Sequence, residues 1–229
     1  MNVKCKACSA LPSLLISAAA AAWCWWATGP ELGLFLGAPL LATLYLPPLV
    51  LAEEGRGRWL AVLSSASGAT LVWAIAAMSA DVTAWEWLRC GVVLAAYVWA
   101  LGGTASLLAL ARFPPPLASG VPTILGLLWL TWPVWLSHWL TQGLVTWLVP
   151  AHPLMAINSV LKHLGTWDRA PLAYRALTVL NQDVPYRLPR GILWAVSLHL
   201  LIGAPGMALV LRRRRGTTEI TPSEAVRPP

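Results

Sequence analysis

The chain has 229 residues; 58% are hydrophobic, only 11% are charged, 15 are Trp, and the net charge is +7. Soluble domains carry about 25% charged residues, so this composition excludes an ordinary soluble enzyme domain and predicts an all-α, polytopic membrane protein. The positive balance does not predict a nucleic-acid partner, because the basic residues are scattered over loop ends and Arg212 to Arg215 directly follow the last apolar run, as a topology signal does.

The first apolar run, 11–28, follows Lys4 and Lys6 and is rich in Ala. A basic start and the small residues at 18–22 fit a signal peptide. The bulky WCWW at 23–26 fits an interfacial anchor better, so a retained first helix is expected. Cys5 and Cys8 form a lone CxxC with neither a second pair nor a His pair beside it, so no metal or redox site is expected there. Cys24 and Cys90 fall in or beside spans, where a thiol packs as a small apolar group. No cofactor is expected.

After the Gly29-Pro30 turn the second run, 32–52, carries Pro39, Pro47 and Pro48, which bend a helix. A polar link, Glu53 to Arg58, leads into the third run, 59–80, and Asp81 to Glu86 form a polar turn. The fourth run, 88–111, holds Gly102 and Gly103, small enough for close helix packing. Phe113-Pro114-Pro115-Pro116 ends it.

The fifth run, 121–149, is the most patterned. No Asp, Glu, Lys or Arg occurs between Val121 and Pro150, a length beyond the ~20 residues that cross a bilayer as a helix. On a continuous helix Thr131, Trp135, His138, Gln142 and Thr146 fall on one side. Lipid cannot satisfy such a stripe, so it serves either as an interhelical hydrogen-bonding face or as the lining of a translocation pathway. Pro133 deprives the Trp129 carbonyl of its usual donor and predicts a kink.

Residues 150–190 form a non-spanning segment. Leu154, Ile157, Leu161 and Leu164 follow a helical period behind Pro153, which suits a first helical position. A second short pattern occupies 172–180. Both predict helices that lie at the interface or dip into it. The sixth span, 192–211, is relaxed at Pro205. The chain thus reads as one transmembrane domain, 1–211, with a basic tail, 212–229, expected to be disordered. Counting Lys and Arg on each side predicts six spans with both ends cytoplasmic in the cell's inner membrane.

No Asp, Glu, Lys or Arg lies deep in any span, so His138 and His199 are the ionisable candidates there, each expected to be a hydrogen-bonded packing residue. No HExxH, GxSxG or P-loop pattern is present, and no catalytic residue is assigned. The outer segment collects His152, His163, Asp168, Arg169, Tyr174, Arg175, Asp183, Tyr186 and Arg187. That composition fits a folded loop held by ion pairs and turns.

The stretch AEEGRGRWLAVLSS, residues 52–65, resembles the cytoplasmic loop of type-2 ATP-binding-cassette permeases, with Glu53, Glu54, Gly55, Leu60, Leu63 and Ser64 at the matching positions. Where that family has Thr after the Gly, this chain has Arg56. The connection ALGGTASLLALARFPPPLASGVPTILGLL and the two short outer helices before the last span are similar to that family as well. The resemblance implies a transport permease that works as a homo- or heterodimer with a separate ATP-binding subunit. It also implies that Glu53, Glu54, Gly55, Arg56 and Arg58 are the coupling loop. The pathway would then be lined by Thr131, Trp135, His138, Gln142 and Thr146. A membrane enzyme using the outer Asp168, Arg169, Arg175 and Asp183, or a scaffold subunit of a larger membrane complex, are the rival readings.

Overall fold

The computed structural model describes residues 38–53, 57–67, 81–164 and 187–215, together with positions 15 and 19. All regular structure among them is helical: α1 (Ala38–Ala52), α2 (Ala84–Leu110), α3 (Pro115–Trp135), α4 (Gln142–Ala151), α5 (Pro153–Val160) and α6 (Leu193–Arg215). Residues 57–67 are helical as well, and short 3-10 turns occupy Ser137–Trp139 and Lys162–Leu164. Three helices among the described residues, α2, α3 and the Leu193–Arg212 part of α6, are long and apolar enough to cross a membrane. The described part of α1 covers 15 residues, with Pro47 and Pro48 inside it; residues 32–37 of the expected second span lie outside the described residues. The expected first span, residues 68–80 of the third, the 172–180 pattern and the tail beyond 215 lie outside the described residues.

Helix α2 is the axis of the bundle, packed by α6, α1, α3 and α5. It begins in what the sequence reads as a polar turn, and the reason is a reciprocal cap. The Thr83 hydroxyl accepts from the Glu86 N–H at 3.3 Å, while Glu86 Oε2 accepts from the Thr83 N–H at 2.9 Å. This satisfies two of the donors that every helix start leaves open. The helix ends in a Schellman turn: the Phe113 N–H bonds the Leu108 carbonyl at 3.1 Å and the Arg112 N–H bonds Ala109 at 3.2 Å. Arg112 therefore sits at φ 65°, a position that favours glycine.

Close packing of α2 on α6 follows from glycine. A Cβ on Gly103 would strike the backbone of Gly203, and one on Gly206 would strike the backbone of Gly103. The two chains touch main chain to main chain, which small residues permit and any side chain prevents. Cys90 packs fully buried and free in the same core, beside Val93, Leu94 and Tyr97.

The fifth run departs from expectation. A single helix over 121–149 with a kink at Pro133 is replaced by two helices. Helix α3 starts earlier, with Pro114 as its N-cap and Pro115 in its first turn, and stops at Trp135, just after Pro133 takes a donor from the ladder. The chain then turns through Ser137–Trp139. A new helix begins behind Thr141, whose hydroxyl accepts from the Leu144 N–H at 3.4 Å.

Helix α5 starts at Pro153 as its spacing predicts, and it is covered by the bundle. Every residue from Pro153 to Val160 except Ser159 is buried, against α2, α4 and α6. Eight residues cannot cross a bilayer, so α5 is an internal element of the bundle.

Candidate functional site

The helices converge on a cluster of aromatic and imidazole rings that starts from Pro133. Without a donor at position 133, the Trp129 carbonyl needs another partner in a medium that supplies none. His152 Nε2 stands 3.0 Å from that carbonyl oxygen. A carbonyl only accepts, so Nε2 carries the proton. On the other side of the ring the Met155 N–H donates to His152 Nδ1 at 3.4 Å, capping α5. One imidazole thus satisfies a carbonyl orphaned in α3 and an amide at the start of α5. This fixes its neutral tautomer, since a second proton would face an N–H. Complete burial pushes the pKa of His152 down to about 3, against the smaller upward pull of the hydrogen bond to Trp129. The residue lies in the connection between α4 and α5, outside the three long helices.

The indole of Trp129 serves a second histidine. Its Nε1–H donates to His199 Nε2 at 3.2 Å, and His199 Nδ1 donates to the Ala195 carbonyl at 2.6 Å. His199 is therefore also neutral, in the opposite tautomer. The Tyr97 ring meets His199 edge-on with centroids 5.4 Å apart, and Trp132 meets His152 edge-on at 5.9 Å, geometries that aromatic quadrupoles favour. The Thr43 hydroxyl donates to the Pro39 carbonyl at 2.7 Å, so the Tyr97 O–H is the donor in its 2.7 Å bond to Thr43. Through these hydrogen bonds and ring contacts α1, α2, α3, α5 and α6 meet at one centre.

Beside it, between α2, α3 and α6, lies a cavity of about 310 Å³, with Tyr97, Leu101, Gly126, Trp129, His199 and Ile202 in its walls. Leu125 and Ile202, 54% and 47% exposed, stand at its mouth on the apolar outer surface of the bundle. The polar atoms of the wall are largely committed. Both nitrogens of His199 are bonded, and the Thr104 hydroxyl donates to Ala100 at 2.8 Å. What remains is apolar surface with a few acceptor lone pairs and no charged group, a lining that suits a hydrocarbon chain.

The stripe expected to line a pathway does not lie on one continuous helix. Thr131 and Trp135 end α3, His138 lies in the 3-10 turn, and Gln142 and Thr146 begin α4; all five are exposed. Three of them are satisfied locally. The Thr131 hydroxyl donates to Leu127 at 2.7 Å, the Thr146 hydroxyl to Gln142 at 2.7 Å, and the Trp135 indole to Leu128 at 2.8 Å. In the expected coupling loop, Arg58 Nε donates to the Glu53 carbonyl at 3.0 Å, tying residues 57–67 to the end of α1. Glu54, Gly55 and Arg56 lie outside the described residues, as do Asp168, Arg169, Tyr174, Arg175, Asp183 and Tyr186.

Of the polar residues assigned to the outer segment, His163 behaves as expected, 3.3 Å from Glu86 and 3.0 Å from the Asp81 carbonyl, and partly exposed. His152 does not. It is in the core, and the residue pattern held the signal for it: Pro133 creates an orphan carbonyl at Trp129, and Pro153 at a helix start calls for a cap at 152. Among the described residues no group of three or more His, Cys, Asp or Glu is placed to hold a metal ion.

These elements define the class: an all-helical protein with, among the described residues, three helices long and apolar enough to cross a membrane, knit together by a neutral imidazole–indole centre. No protein-family model, curated protein or solved structure matches it.

Proposed function

We propose that the chain is the membrane subunit of an ATP-driven exporter for an apolar or amphipathic, lipid-like molecule, with the ATP-binding subunit a separate polypeptide. The observation that carries this reading is the uncharged cavity of about 310 Å³ between α2, α3 and α6, open on the apolar flank. A molecule already dissolved in the bilayer reaches such a mouth without crossing water. The sequence adds the energetic argument: there is no Asp, Glu, Lys or Arg from Cys90 to Leu110, from Pro115 to Trp135, or from Leu193 to Leu211. Ion-coupled carriers use ionisable groups or unwound carbonyls near the midplane. The orphan carbonyl of α3 is already taken by His152. Drive from outside the chain is the simpler account.

In this reading the chain makes six spans with both termini cytoplasmic in the inner membrane. It pairs with a copy of itself or with a homologous subunit. The loop from Glu53 to Arg58 receives the motion of the ATPase, and the Arg58–Glu53 bond passes it to α1. Gentle solubilisation of the tagged chain from its native membrane tests the proposal. An ATPase that co-purifies, and whose hydrolysis depends on the 53–58 loop, supports it. Repeated purification without any ATPase, or ion-gradient-driven transport by the chain alone, refutes it.

A further inference from the structure

A second concavity lies away from the imidazole centre, between α4 and the chain that leads into α6. It has a volume of about 560 Å³ and is lined by Gln142, Val145, Thr146, Val149, Pro150 and residues 187–190. Arg187 and Arg190 both line it, and both are exposed. Among the described residues a carboxylate contact of a basic side chain joins His163 to Glu86, and no described carboxylate stands within 4 Å of either arginine. The Thr146 proton is committed to the Gln142 carbonyl, leaving the two guanidinium groups and the Gln142 amide as the donors. A donor set that is cationic, planar and forked selects an oxyanion, above all a phosphate.

Its depth in the membrane is marked by other residues. Arg190 precedes the spanning helix α6 by three positions, at the end opposite Arg212. Trp147 of α4 and Trp194 of α6 stand side by side, with ring centroids 6.1 Å apart, and are 67% and 48% exposed. Exposed Trp pairs of this kind sit at headgroup level, where the ring is half in hydrocarbon and half in water. The arginine groove is therefore level with the phosphates of the lipid leaflet, beside an aromatic surface on which acyl chains lie.

We propose that this groove is a binding site for the headgroup phosphate of an anionic membrane phospholipid, with Arg187 and Arg190 holding the oxyanion and Gln142 completing the donor set. The site is independent of the cavity assigned to transport. It also gives Gln142 a role as a headgroup contact.

The test uses the full chain in mixed micelles containing phosphatidylglycerol or phosphatidylcholine, with retained lipid counted by native mass spectrometry. The wild-type chain is expected to retain phosphatidylglycerol preferentially. The double variant Arg187→Gln/Arg190→Gln is expected to bind it about 30-fold more weakly, from about 1 kcal/mol for each arginine near the surface. The double variant Arg187→Lys/Arg190→Lys keeps the charge and should keep the preference in weakened form. Unchanged thermal unfolding in phosphatidylcholine micelles shows that both variants are folded. Equal retention of the two lipids by the wild-type chain overturns the proposal. So does a Gln pair that binds as the wild type does, or a Lys pair that binds no better than the Gln pair. Displacement of the lipid by an equal concentration of inorganic phosphate also overturns it, by showing a site for the free anion.

Discussion

His152 joins two defects that would otherwise each be costly. An unpaired carbonyl shielded from water costs about 1–3 kcal/mol, and an uncapped helix start costs about 1 kcal/mol. His152→Ala restores both, so it should lower unfolding stability in micelles by about 2–4 kcal/mol. The bond to Trp129 predicts a coupling that packing alone does not. In a Pro133→Ala background the residue-133 N–H returns to the Trp129 carbonyl, and the cost of His152→Ala should shrink by about 1–3 kcal/mol. A double-mutant cycle by chemical unfolding measures it, and additive costs would reject the account. The same residue sets a pH response. With a folded pKa depressed to about 3 from an ordinary 6.5, the unfolded chain binds its proton first as pH falls. The stability contribution of the neutral ring is full above pH 6.5 and is lost progressively toward pH 3, by up to about 1.4 kcal/mol per unit. His152→Gln should flatten that slope relative to the wild type, read from unfolding midpoints over this range.

At the scale of elements, the bundle depends on where glycine is required and where it is incidental. Gly103 has the backbone of Gly203 against it, whereas Gly120 in α3 has open space where a Cβ would stand. Gly103→Val must push α2 and α6 apart, so a loss of about 3 kcal/mol or more is expected, at the upper end of overpacking costs. Gly120→Ala should be neutral or stabilising by up to about 1 kcal/mol, from helix propensity alone. Arg112 offers the reverse case. Held at φ 65° in the turn after α2, it should be improved by Arg112→Gly by about 0.5–1 kcal/mol, seen as a higher unfolding midpoint. Five helix boundaries have a chemical cause of this kind. Thr83 with Glu86, Thr141, and His152 with Pro153 start helices, and Arg112 and Pro133 stop them.

Among the described residues the polar groups of Thr43, Tyr97, Trp129, His152 and His199 are held in internal hydrogen bonds, whereas buried polar atoms of Trp59, Ser65, Ser106, Trp132 and Asn158 are not, and apolar side chains turn outward. Leu125, Leu128, Leu200, Leu201 and Ile202 are all exposed on α3 and α6, as a lipid-facing surface requires. The cavity between those helices opens through this surface. Ile202 at its mouth is therefore the position to obstruct. Ile202→Trp should abolish transport while leaving subunit association and unfolding stability unchanged, and export that continues at the wild-type rate would exclude this cavity as the route. The headgroup groove lies near Trp147 and Trp194 and is untouched by that substitution, so the two sites separate experimentally.

Apolar composition, the positions of the long runs near 88–111 and 192–211, the packing role of Gly103, the start of α5 at Pro153 and the loss of a donor at Trp129 were all determined by the residues themselves. They depend on local propensity, on length and on the chemistry of proline and glycine, which act over a few positions. Only the tertiary structure decided what answered the orphan carbonyl, because His152 lies 23 residues away and nothing local brings it there. The break in the polar stripe of 131–146 has local causes: a wheel drawn over a continuous helix assumes a ladder that Pro133 interrupts, and Thr141 restarts it with a cap of its own. Tertiary packing decided the burial of α5: its period reads as one apolar face, while neighbours on several sides cover the rest.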